Sequence, residues 1–88
     1  MRHEKNKELI PIGSIIEHLP GFRWIAVPFR AINRLDYYDA PYGFYFVLDH
    51  VTTEYDVCEA IMLTPTGDLI RESMGYIALS KEIFRIHK

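Results

Sequence analysis

An all-β fold is what this 88-residue chain predicts: a small barrel or sandwich of five to seven short antiparallel strands with at most one or two short helical turns. Three observations carry that expectation. Short runs rich in β-branched and aromatic residues recur along the chain, clusters of Gly, Pro, Thr and Asp separate them at close spacing, and no stretch sustains the apolar period of a long helix. A hydrophobic fraction of 49% against 25% charged residues is that of a globular chain rather than a disordered one. So short a chain buries a smaller share of its surface than a larger one, so five Phe, six Tyr and one Trp are expected to carry the core.

Residues 1–8, MRHEKNKE, have no apolar periodicity and are expected to form a disordered polar arm, leaving residues 9–88 as a single small barrel domain. Pro11 and Gly13 mark a bend, after which Ser14 to Leu19 is β-branched enough for a strand. Phe22 to Val27 alternates in part, so the two runs are expected to pair as a hairpin about Pro20 and Gly21. Pro28 cannot donate to a ladder and belongs at a strand end, an edge or a bulge. Arg30 to Ala40 is expected to be a loop holding a short helical turn.

The stretch from Tyr42 to Thr53, YGFYFVLDHVTT, is the expected central strand. Phe44, Phe46 and Leu48 project to one side and Tyr45 and Val47 to the other, so both faces require cover. Val57 to Thr64 is the next strand, closing a hairpin that sets Phe46 across from Ile61 and Phe44 across from Leu63. Thr64 to Gly67 has the composition of a type I turn, with Pro65 second and Gly67 fourth. Asp68 to Ser73 follows as a strand and Met74 to Leu79 as a short apolar run. Ser80 caps a single helical turn, and Ile83 to Ile86 forms the last strand.

GYIALSKEIFRI, Gly75 to Ile86, resembles the closing segment of SH3-type barrels, in which a strand opening Gly-aromatic-Ile runs through one 3₁₀ turn into a last strand. IGSIIEHLPGFRWIAV, Ile12 to Val27, resembles the opening hairpin of small SH3-like barrels. The likeness spans roughly a third of the chain and implies an SH3-like barrel fold. It does not extend to the Pro-peptide groove of that family: no acidic loop opens the chain, and Trp24 is followed by Ile25 where the groove Trp is doubled.

Charge is unevenly spread. The net charge is −2, yet no Lys or Arg lies between Arg34 and Arg71, while Asp36, Asp39, Asp49, Glu54, Asp56, Glu59 and Asp68 all do. Within that acidic middle, DYYDAPYG sets tyrosines among carboxylates, and tyrosine brings large contact area at little entropic cost. The expected partner surface is therefore Asp36, Tyr37, Tyr38, Asp39 and Tyr42, joined by Glu54 and Asp56, docking on a basic protein. Such a chain would be a non-enzymatic protein-binding module or an inhibitor of the kind a phage or mobile element encodes. The alternative is a nucleic-acid-binding barrel using residues 22–34, where Arg23, Trp24, Arg30 and Arg34 interleave guanidinium groups with an aromatic platform. An exposed edge strand offers a route to a homodimer.

Other chemistries find little footing. Cys58 excludes an intrachain disulfide and is expected in the core, since Asp49 and His50 point to opposite faces of a strand and cannot both reach it. His3, His18, His50 and His87 lack the paired spacing of metal ligands, and the glycines never cluster as a phosphate cradle, so no metal and no cofactor are expected. No apolar run reaches the ~20 residues of a membrane span, and the start of the chain lacks a signal-peptide core, which makes the cytoplasm the expected compartment.

Overall fold

The structure, a computed structural model, describes residues 2–31 and 36–88, with residues 2–4 described by backbone alone. Its elements in chain order are α1 (Arg2–Leu9), β1 (Ile15–His18), β2 (Ile25–Pro28), β3 (Tyr38–Asp39), β4 (Gly43–Thr52), β5 (Cys58–Leu63), β6 (Leu69–Ser73), α2 (Met74–Leu79) and β7 (Phe84–His87). The seven strands form one antiparallel sheet in the order β3-β2-β6-β5-β4-β1-β7, so the all-β expectation holds.

Strand alternation assigns the two faces. Ile16, Tyr45, Val47, Ala60, Met62 and Ile70 point inward and are buried, joined by Trp24, Ala26 and Phe84 from the neighbouring strands and by Ile10. Helix α2 lies over this inner face because Met74, Ile77 and Ala78, spaced i, i+3, i+4, form one buried stripe. The Ser73 hydroxyl caps it by accepting the Tyr76 N–H at 3.3 Å.

Trp24 is the centre of the inner layer. Its ring lies 4.8 Å from both Tyr45 and Phe84 and 5.4 Å from His18. Its indole N–H donates to Glu72 Oε1 at 2.6 Å, which satisfies the one polar atom that burying a tryptophan strands. Burial pushes the Glu72 carboxyl above the usual carboxylate range, opposed by hydrogen bonds from Trp24 and from the Ser73 N–H.

Several expectations are corrected. β1 and β2 do not pair with each other: β1 lies between β4 and β7, and β2 between β3 and β6. Pro-Gly favours a type II turn, whose twist splays strands instead of pairing them, and Gly21 has the positive φ of 104° that such a turn requires. The run Met74 to Leu79, read through the SH3-type segment as a strand, is helix α2. The arm over residues 1–8, expected to be disordered, is helical from Arg2, and α1 runs on to Leu9 and lies against α2. The chain just beyond α1 is anchored by fully buried Ile10, whose carbonyl is 2.7 Å from His50 Nε2. The loop expected between Arg30 and Ala40 contains the two-residue strand β3; its expected helical turn about Ile32 and Leu35 falls outside the described residues.

The β4–β5 hairpin and the β5–β6 turn form where expected. Gly67 N–H donates to the Thr64 carbonyl at 3.0 Å, closing the Thr64–Gly67 turn. The β4–β5 register differs from expectation: Phe46 opposes Leu63, and Ile61 opposes Asp49 across a bulge at Leu48. The largest departure concerns β4 itself. Phe44, Phe46 and Leu48 are exposed, because α2 covers the opposite face, with α1 against it, and no helix lies over theirs among the described residues.

Candidate functional site

The outer face of the sheet carries a continuous apolar surface. Backbone register sets Ile15 beside Phe46, Phe46 beside Leu63, and Leu63 beside Leu69, a row crossing β1, β4, β5 and β6. Phe44 and Leu48 flank that row along β4. These six side chains are 38–60% exposed. Taking ~200 Å² for a large side chain, they leave about 500 Å² of apolar surface open to solvent. That is near the top of the ~300–600 Å² range for the largest patch on a typical monomer.

Charged residues border the row on both sides. Toward the start of β4, Glu17 pairs with His87 at 3.0 Å and Arg85 at 3.9 Å. Toward the β4–β5 turn, Arg71 is 3.8 Å from Glu59, and Asp49 stands beside Ile61. Beyond Arg71 the face opens into a groove of about 620 Å³ lined by apolar Phe29, Val51 and Val57, by Tyr55, and by Glu54, Glu59 and Arg71. The Arg71 Nε is buried there without a hydrogen-bond partner.

The residues singled out from sequence do not form one surface. Tyr37 and Tyr42 are exposed, 64% and 54%, but Tyr38 is half-buried and its hydroxyl lies 3.0 Å from Thr66 Oγ1. Asp36 is exposed beside them. Asp39 is engaged by Arg23 through two hydrogen bonds, 3.2 Å from Nε and 2.9 Å from Nη2, which hold its carboxyl below the usual range and cancel its charge locally. Glu54 and Asp56 sit at the β4–β5 turn, at the far end of a ten-residue strand, ~30 Å from the loop at ~3.4 Å per residue.

The nucleic-acid set fares similarly. Trp24 is 1% exposed and presents no ring face for a base to stack on, Arg23 is committed to Asp39, Arg30 is exposed, and Arg34 lies outside the described residues. Cys58 is buried. Asp49 lies on the outer face while Cys58 and His50 lie on the inner side, so the three do not meet. Among the described residues no group of three His, Cys, Asp or Glu side chains could hold a metal ion, and no helix is long and apolar enough to cross a membrane.

The outer row's β4 residues are one of the two alternating sets of that strand, and because both sets are apolar the alternation does not show which one is covered. Only the position of the helices decides which set is covered. Comparison with protein-family models, curated proteins and solved structures finds no match to this chain.

Proposed function

We propose that this chain is a non-enzymatic protein-binding module that works by burying the outer face of its sheet against another polypeptide. The observation that carries the reading is the exposure of Phe44, Phe46 and Leu48 beside Ile15, Leu63 and Leu69. An antiparallel sheet with one face in water ordinarily alternates apolar-in with polar-out, whereas a strand apolar on both sides belongs to a sheet covered on both sides. The chain's own helices supply one cover. A partner supplies the other.

The magnitude is adequate. At ~25 cal/mol per Å², covering ~500 Å² is worth about 12 kcal/mol before the costs of association and desolvation are deducted. Charge selects less strongly than the sequence suggests, because Asp39 is neutralised by Arg23 and the remaining acids are divided between two ends of the sheet. Tyr37 and Tyr42 add amphipathic contact area at one end.

Site-specific incorporation of a photo-crosslinking phenylalanine analogue tests the assignment in the expressing cell. Adducts should form from positions 46 and 63 and not from position 82, which is exposed on the turn before β7. No adduct from either face position, or equal yields at all three, would refute it.

A further inference from the structure

We infer that the polypeptide covering the outer face is a second copy of this chain, related by a two-fold axis lying between the two outer faces. This rests on the binding-module reading and names its partner.

The first argument is area. A stable interface of standard size takes ~800 Å² from each partner, of which ~65% is apolar in homodimers, about 520 Å². The row and its flanks expose about that amount, ~500 Å² on side chains of ~200 Å² each.

The second is charge. Each border of the row holds both signs, Glu17 with Arg85 and His87 on one side and Arg71 with Glu59 and Asp49 on the other. Glu17 is paired with Arg85 and His87, and Glu59 with Arg71, so most of the border charge is balanced within the chain, and a net charge of −2 adds little repulsion. A strongly charged partner finds no complementary potential here.

The third is symmetry. An isologous interface requires a surface complementary to itself. A two-fold axis parallel to the strands, between β4 and β5, lays Phe46 over the partner's Leu63 and Ile15 over the partner's Leu69. The centre of the row, where the curled sheet is most prominent, then meets apolar side chains, as in sheets stacked ~10 Å apart. The dimer is a two-sheet sandwich with helices on its outside.

Sedimentation equilibrium of the full chain across a dilution series tests this. The expected mass is twice the 10.3 kDa of one chain. Phe46→Asp and, separately, Leu63→Asp should raise the dissociation constant about a thousandfold, since symmetry makes each substitution count twice at a hot spot. Both should keep the wild-type circular dichroism, because both positions point to solvent in the single chain. Independently of any variant, dilution should move amide resonances of β1, β4, β5 and β6 and leave those of α1 and α2 in place.

A chain that is monomeric throughout, a dimer that survives both aspartates, or dilution shifts confined to the helices or to the edge strands would overturn the inference. Foreign-mass adducts from positions 46 and 63 with a monomeric purified chain overturn the second copy alone. Absence of adducts and of self-association removes both readings.

Discussion

Replacing Trp24 by Phe should destabilise the fold by an amount that depends on pH in a defined direction. The substitution keeps an aromatic ring against Tyr45 and Phe84 but deletes the N–H that donates to Glu72 Oε1 at 2.6 Å. Burial raises the Glu72 carboxyl, and the hydrogen bonds from Trp24 and Ser73 pull the other way. A carboxyl raised on folding contributes stability that is fully present below its unfolded value of ~4.3; that contribution is lost as pH rises through the folded value. Removing the indole donor raises the folded value further, so the deficit is greatest where Glu72 is ionised. A hydrogen bond to a charged group is worth ~1.5–3 kcal/mol and one to a neutral group ~0.5–1.5 kcal/mol. The variant should therefore lose about 1 kcal/mol more at neutral pH than below ~4.3. The smaller ring's packing loss is common to both conditions. In urea, with a slope of ~1–2 kcal/mol per M for so small a chain, the midpoint should fall by ~1–2 M at neutral pH and by visibly less in acid. Far-ultraviolet circular dichroism gives the readout, since the variant lacks the fluorophore. Equal shifts at the two pH values would refute the coupling of Trp24 to Glu72.

Two further outcomes follow from buried groups. Tyr45 is fully buried, its hydroxyl donates to the Pro41 carbonyl at 2.6 Å, and burial pushes its ionisation well above the usual phenol range. Stability from this group is present below ~10 and lost as pH rises through its folded value. In alkaline difference spectroscopy one of the six tyrosines should thus ionise only as the chain unfolds, and Tyr45→Phe should abolish that last step at a cost of ~1 kcal/mol at neutral pH; six tyrosines titrating together would contradict it. Cys58, buried at the start of β5, should resist alkylation in the folded chain and react on unfolding, so rapid labelling of the native protein would place the thiol elsewhere.

Much of the local structure was legible because it depends on near neighbours. The Thr64–Gly67 turn is readable from a Pro whose φ suits its second position and a Gly that adopts φ of 87° at its fourth. The strands β4 and β5 are readable from alternation, and β6 from its place after that turn. What escaped depends on partners remote in sequence. Pro20 and Gly21 look like a hairpin loop until the twist they impose is considered, and the true neighbours of β1 come from residues 43–46 and 84–87. Helix α2 was hidden because Met74, Ile77 and Ala78 fit a helical stripe only over six residues, too few for periodicity to outweigh an apolar run. Of the candidate site, the exposure of Tyr37 and Tyr42 beside a half-buried Tyr38, the salt bridge of Asp39 and the burial of Trp24 all required the fold.

The same strand that misled the reading of orientation supports the reading of function. β4 is apolar on both sides, which implies cover on both sides. The chain covers Tyr45 and Val47 and leaves Phe44, Phe46 and Leu48 bare, so the pattern is half fulfilled within one molecule. Were the bare residues a tolerated excess of hydrophobicity, they would be scattered over the outer face. Instead they adjoin along β4 and across four strands, with Glu17, Arg85 and His87 on one side and, on the other, Asp49, Glu59 and Arg71 around Ile61 and Val51. An apolar centre within a polar rim is the anatomy of an interface.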